Sequence, residues 1–275
     1  MGHKYQIYLL SDSTGETLDR IFLAIKSQFA NFEYEKKDFV FIRTEKQIDK
    51  IIEKCKKEEH VIILYTVVET KLAKYLSQIC EKQMIPCFGI LGNLILNFSK
   101  LLNKKATHTP SAQHVLDADY YKRIEAIQFT MAHDDGMKTE ELRNADIILL
   151  GVSRTSKTPT SIYLANRGYK TLNIPLIENQ EIPNLLKEEF NRFCVVGLVV
   201  EAIRLSEIRT NRLEIMKEVS IPNYSNLKNV EKELENSKRL FKKYNWPLID
   251  VTRKSVEETA ASVIRIYEIK KGLKK

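Results

Sequence analysis

No uninterrupted apolar run in this 275-residue chain is long enough to span a bilayer. Runs such as residues 147–150 and 194–200 fall far short of the roughly 18 to 20 residues a spanning helix needs. The amino terminus passes from Met1 to a strand-like segment at 5–10 without the apolar core and small-residue cleavage site of a signal peptide. Gly2 is followed at position 6 by Gln6 rather than Ser or Thr, so the pattern for myristoylation is absent as well. These absences predict a cytoplasmic protein that does not enter membranes. The four cysteines, Cys55, Cys80, Cys87 and Cys194, form no C-x-x-C pair, which argues against a zinc site and a disulfide framework and for reduced packing residues. The net charge of +8 suits an acidic partner, but the basic residues are spread along the chain and not interleaved with aromatics. A nucleic-acid-binding role is therefore not expected. There is no internal repeat and no low-complexity segment.

What is present is a chain with 43% hydrophobic and 29% charged residues, enough to bury a real core in one large or two smaller domains. Short apolar runs at 5–10, 39–42 and 61–65 read as strands, separated by amphipathic stretches at 16–29, 46–57 and 70–82. That alternation predicts βαβ units and a parallel sheet. After a further helix at 91–102, the polar, proline-containing segment 103–117 marks a boundary, which divides the chain into an α/β part at 1–104 and a second at 105–275. The second part reads as helix 119–131, strand 146–150, helix 158–167 closed by Gly168, strands 170–175 and 192–200, and then mostly helix with one more strand at 247–251. The expected class is α/β, in two parts, with the loop described next on a mainly parallel sheet.

The strand at 146–150 runs into Gly151-Val152-Ser153-Arg154-Thr155-Ser156-Lys157-Thr158. A phosphate-binding loop needs a buried strand, a turn of inward amides, a lysine, a hydroxyl for Mg²⁺ and a helix start, and all five occur here in order. Pro159 then falls in the first helical turn, where its missing N–H costs little. The departure is Ser156, where a glycine would be usual before the lysine. If that position needs a positive φ, serine costs about 1 to 2 kcal/mol. The alternative is a polar turn capped by Ser156 or Thr158, with Lys157 exposed.

Upstream, His133-Asp134-Asp135-Gly136 supplies adjacent carboxylates. These suit either acid-base work in phosphoryl transfer or an ordinary turn. Arg154 either reaches the phosphates or is an exposed loop charge. The stretch Ser11 to Thr17 after the first strand is either a second anion nest or a helix start capped by Ser13 or Thr14. His108 and His114 are not spaced to share a helical face, and no metal ligand is assigned. Arg209 and Arg212 stand on one helix face, toward solvent or an acidic partner.

Several long motifs in order carry a resemblance over nearly the whole chain: "LLSDSTGET", "HTPSAQHVLDADYYKRIEAIQF", "HDDG", "GVSRTSKTPTSIYLANRGYKTLNIPL" and "LIDVTRKSVEETAASVI". They identify the chain as similar to the pyruvate, phosphate dikinase regulatory protein family, related to the phosphoenolpyruvate synthetase regulatory proteins, and its serine-containing loop looks more like the former. The resemblance implies a bifunctional enzyme. One activity is an ADP-dependent serine/threonine-protein kinase that phosphorylates a threonine beside the catalytic phosphohistidine of the dikinase. The other is a phosphorylase that uses inorganic phosphate to remove that group and forms pyrophosphate. It further implies residues 151–158 as the nucleotide and phosphate loop, Asp135 as proton acceptor with Asp134 and His133 as neighbours that bind metal or tune it, Lys157 as the neutralising cation, and Mg²⁺ as companion to the nucleotide. The expected partner is the dikinase, with room for a homodimer. Ala132 stands where the family often carries a lysine, so a charge from that point is missing. Rival readings are the same chemistry on the synthetase, a small-molecule P-loop kinase, and a nucleic-acid-binding protein.

Overall fold

The computed structural model describes residues 3–112, 116–178, 180–216 and 224–272. His114 lies outside these residues. The chain forms two compact units, Met1–Val115 and Leu116–Lys275. Residues 105–115, assigned from the sequence to the second part, group with the first, where His108 and Ser111 bond to Val68 and Ser13.

The first unit holds strands β1 (Tyr5–Leu10), β2 (Tyr34–Phe39), β3 (Val61–Tyr65) and β4 (Cys87–Gly89), and helices α1 (Glu16–Lys26), α2 (Glu45–Cys55), α3 (Thr70–Lys82) and α4 (Gly92–Leu102). The second holds α5 (Ala118–Ala132), β5 (Ile147–Gly151), α6 (Lys157–Asn166), β6 (Thr171–Pro175), α7 (Asn184–Glu188), β7 (Val195–Val199), α8 (Ala202–Met216), α9 (Leu227–Lys243), β8 (Leu248–Asp250) and α10 (Val256–Lys270). Each unit is built on a four-stranded sheet, in the order β2-β1-β3-β4 and β6-β5-β7-β8, with every pairing parallel. The two sheets share one strand order, although the sequence shows no repeat. No helix among the described residues is long and apolar enough to cross a membrane.

Parallel strands covered on both faces need apolar side chains at every position, and the central strands have them. In β5, Ile147 and Leu149 enter one core with Val196 and Leu198 of β7, while Ile148 and Leu150 enter the opposite core with Val195 and Val199. In the first unit, Tyr8 and Leu10 of β1 face one core and Ile7 and Leu9 the other.

The second strand differs from the expectation at 39–42. It is an edge strand, so only part of it is covered, and its sequence YEKKDF carries charges that a central strand could not. Lys36 pairs with Asp19 and Asp38, and Lys37 with Glu58. Residues 40–42 leave the sheet instead. Phe41 turns into the left-handed region (φ 53°), and the amides of Phe41 and Ile42 bond to the carbonyls of Ser13 and Ser11.

Gly197 in the middle of β7 is a packing requirement. A Cβ there would fall 2.5 Å from the ring of Phe241, which is fully buried. Gly197→Ala is expected to cost about 1 to 3 kcal/mol, read as a lower midpoint in chemical denaturation. An unchanged midpoint would mean that α9 yields without cost.

Candidate phosphate site

In an open α/β sheet, ligands bind beyond the carboxyl ends of the strands where the chain switches direction across the sheet. In the second unit that point is the end of β5, because the chain leaves it for β6 on one side and then crosses to β7 on the other. The loop 151–156 occupies it. A Cβ at Gly151 would lie 2.6 Å from Thr155 Oγ1 and 2.7 Å from the carbonyl oxygen of Leu198, so only glycine lets the loop curl back this tightly.

The loop is organised around the carbonyl of Val152, which accepts from Thr155 Oγ1 and from Lys157 Nζ, each at 3.0 Å. Arg154 (φ 73°) and Ser156 (φ 59°) are left-handed and Thr155 between them is not. Such alternation of hand turns successive amides toward one concavity, the geometry of an anion nest. Neither Ser156 nor any other side chain caps α6, which leaves its first-turn amides free for an anion. The polar turn capped by Ser156 or Thr158 is therefore not what forms. Lys157 is not exposed either: it is 5% accessible.

The "HDDG" segment follows α5 as a tight 3-10 turn over Asp134–Gly136, with Asp135 (φ 49°) and Gly136 (φ 79°) both left-handed. The amide of Asn173 in β6 bonds to the carbonyl of His133 at 3.3 Å and fixes the turn beside the sheet. Asp134 Oδ1 then accepts from Thr158 Oγ1 at 3.2 Å and from Asn173 Nδ2. Asn173 Nδ2 also reaches Thr158 Oγ1 at 3.1 Å. Two motifs more than twenty residues apart in sequence thus meet. Asp135 is exposed and acts on Lys157 through charge.

Burial pulls the Lys157 ammonium down to about 8, against the opposing pull of Asp135 and Asp134, with Arg154 and Arg209 pushing it further down. His133 is buried, donates through Nδ1 to the carbonyl of Phe129 at 2.6 Å and stacks on the Phe129 ring. Its Nε2 lies 3.3 Å from a Glu141 carboxylate oxygen and makes no hydrogen bond. The Nδ1 bond and the ring stacking fasten His133 to α5 at the start of the turn.

Asn173, Arg209, Tyr224 and Glu233 complete the surroundings. The first was legible only as a lone amide in the apolar strand TLNIP. Arg209 corrects the expectation of a solvated or partner-facing charge. It is 1% exposed and forks onto Glu233, because α9 covers the face of α8 that carries it. Arg154 is exposed, with its guanidinium against the Tyr224 phenol. Burial would raise that phenol, but the hydrogen bonds of Ser153 and Arg154 and the charges of Arg154 and Arg209 outweigh it and hold it below its usual value.

A match to the kinase/pyrophosphorylase family model extends over residues 7–264. The chain belongs to the kinase/pyrophosphorylase family. It is 62% identical over 272 residues, 99% of each chain, to a protein of Pelagibacter ubique that carries the provisional name pyruvate, phosphate dikinase regulatory protein. Proteins of the same provisional name from Bartonella tribocorum and Bartonella bacilliformis are 44% and 43% identical over 95% of this chain, covering 94% and 93% of their own length. Family membership supports a phosphotransferase role for this kinase/pyrophosphorylase.

The first unit places Ser11, Asp12, Ser13, Thr66 and Ser111 around a cavity of about 380 Å³ at the ends of β1 and β3. No side chain caps α1 there, so capping by Ser13 or Thr14 does not form.

Because the folded-state value of Lys157 lies below its ordinary 10.5, the folded protein gives up this proton first. Burying the ammonium costs stability at neutral pH, and that cost is relieved as pH rises from about 8 toward 10.5. Anion binding runs the other way. Sulfate affinity, followed calorimetrically because sulfate does not itself titrate here, should fall between about pH 7 and about pH 9, and Lys157→Arg should flatten the profile. An equally steep profile in that variant would remove Lys157 as the titrating group.

Proposed function

We propose that this kinase/pyrophosphorylase regulates pyruvate, phosphate dikinase in both directions at the 151–158 loop. With ADP it would phosphorylate the active-site threonine of the dikinase, and with inorganic phosphate it would remove that group as pyrophosphate. The observation that carries the reading is the Thr158–Asp134 hydrogen bond, which brings the carboxylate pair to the mouth of an anion nest. The provisional names of the relatives support the target. The resemblance of the motifs supports the nucleotide.

Phosphoryl transfer asks a protein for position and charge stabilisation more than for covalent chemistry. In the kinase direction the nest and Lys157 hold the phosphates of ADP. The threonine Oγ–P bond forms as the bond from the β-phosphorus to the oxygen of the departing AMP breaks, and Asp135 takes the hydroxyl proton. In the other direction an oxygen of inorganic phosphate bonds to phosphorus, the Oγ–P bond breaks and Asp135 returns the proton to Oγ. A donor and an acceptor of the same kind sit in one cradle, so one geometry serves both. Asp134, fixed by Thr158 and Asn173, sets the orientation of the turn that carries Asp135.

The Mg²⁺ that accompanies nucleotide phosphates prefers oxygen donors. Thr158 and Asp134 offer a hydroxyl and a carboxylate, and the buried Asn173 Oδ1 has no partner, so the residues fit the ion. Bound there, it would neutralise phosphate charge.

The test is to incubate the protein with dikinase phosphorylated on its catalytic histidine, with ADP or with ATP free of ADP, and to locate new phosphothreonine by mass spectrometry. Phosphothreonine with ADP alone is expected. Its appearance with ATP alone would overturn the nucleotide assignment, and its absence with both would overturn the function.

A further inference from the structure

Arg209 is the largest fully buried side chain among the described residues. A buried guanidinium is costly unless nearly all of its donors are engaged and its charge is met. Here Nη1 donates to the carbonyl of Tyr224 at 2.9 Å and to Glu233 Oε1 at 3.2 Å, and Nη2 donates to Glu233 Oε2 at 2.7 Å and to the carbonyl of Ser153 at 3.2 Å. The guanidinium also lies 4.7 Å over the ring of Tyr224, whose hydroxyl is 3.2 Å from Ser153 Oγ. One side chain from the middle of α8 thus ties α9 and the segment before it to the third residue of the anion loop.

The contact with Ser153 has a directional consequence. In a trans peptide the carbonyl and the next amide point in opposite directions. With the Ser153 carbonyl turned to Arg209, the amide of Arg154 must face the other way. Arg154 is also one of the two left-handed, non-glycine residues of the nest, a conformation that persists only where its surroundings hold it. The only side-chain donor bonded to the Ser153 carbonyl among the described residues is Arg209.

We propose that Arg209, oriented by Glu233, is a positioning residue for the phosphate site: it fixes the Ser153–Arg154 peptide plane and so presents the Arg154 amide to the bound phosphate. This rests on the loop being the anion site. A lysine would keep the charge at this point but could not fork onto Glu233 while reaching Ser153, so charge alone does not reproduce the function.

The experiment compares wild type, Lys157→Ala, Arg209→Lys and the paired Arg209→Met/Glu233→Met, which exchanges the ion pair for apolar side chains and so leaves no buried charge unmatched. Each is titrated with inorganic phosphate, with affinity read by calorimetry and individual amides by nitrogen-proton NMR. In wild type, the amides of both Arg154 and Thr158 should shift on phosphate addition. In Arg209→Lys and in the paired variant, affinity should fall at least about tenfold and the Arg154 shift should vanish while that of Thr158 remains. A merely structural role would move both amides together. If Lys157→Ala binds phosphate as wild type does, the anion site itself is misassigned. If Lys157→Ala loses phosphate but the paired variant keeps both its affinity and the Arg154 shift, the positioning role alone is overturned.

Discussion

Asp135→Asn should lower both the kinase and the phosphorylase turnover by about 10² to 10⁴ while leaving ADP affinity nearly unchanged. The expectation follows from how the two neighbouring carboxylates are used. Asp134 accepts from Thr158 and Asn173 through Oδ1, and that oxygen holds the turn against the loop. Asp135 projects from a left-handed position into solvent, where an incoming threonine can reach it. A general base needs an acceptor free to meet the incoming hydroxyl; Asp134 is tied into the turn through Oδ1, whereas Asp135 is exposed. Asparagine keeps the shape and removes the proton acceptor. By microscopic reversibility the loss should be of similar size in both directions. Asp134→Asn should do less, since an amide can still accept from Thr158. The check is calorimetric ADP binding beside both activity assays. Loss of ADP binding in Asp135→Asn would assign that carboxylate to the metal or to the fold, and full activity would remove it from the mechanism.

Lys157→Ala should cost about 10² to 10³ in each activity, the scale of removing one charge-stabilising donor from a preorganised site. The ammonium is buried under the loop and bonded to Val152, where low polarity strengthens its action on a phosphate. The same burial pulls it down to about 8, which means that the folded state bears a cost for keeping it charged. Replacing it should therefore leave thermal stability unchanged or raised, and the activity loss can be separated from unfolding in a melting experiment. A variant that loses the kinase but retains near-normal phosphorylase turnover would show that the two reactions use separate anion sites.

Much of this was legible in the sequence because it is local. Residues 5–10, 61–65 and 70–82 form the elements that their periodicity implies, with the same boundaries. The loop is legible because strand, turn, lysine and helix start are contiguous, and Ser156 does adopt the positive φ that its place before the lysine demanded. The edge strand β2 was misplaced because partial burial relaxes the apolar pattern that marks a strand. The meeting of Asp134 with Thr158 is set by the packing of α5 on α6 and of the turn on β6, which no spacing encodes. Arg209 could not be read as buried, since an arginine on a helix is ordinarily solvated, and the carboxylate that matches it is on another helix, α9. Asn173 left the one usable trace: a fully buried amide in an apolar strand must be there to meet another polar group.

The central claim is that a single phosphoryl group passes in both directions through one site. Its most direct measurement uses ADP labelled in the β-phosphate, incubated with the protein and histidine-phosphorylated dikinase, then chased with unlabelled inorganic phosphate after removal of nucleotide. The label should appear first on the dikinase threonine and afterwards in pyrophosphate, and Asp135→Asn and Lys157→Ala should each suppress both transfers together. Label released as inorganic phosphate instead of pyrophosphate, or a variant that blocks one transfer and spares the other, would contradict it.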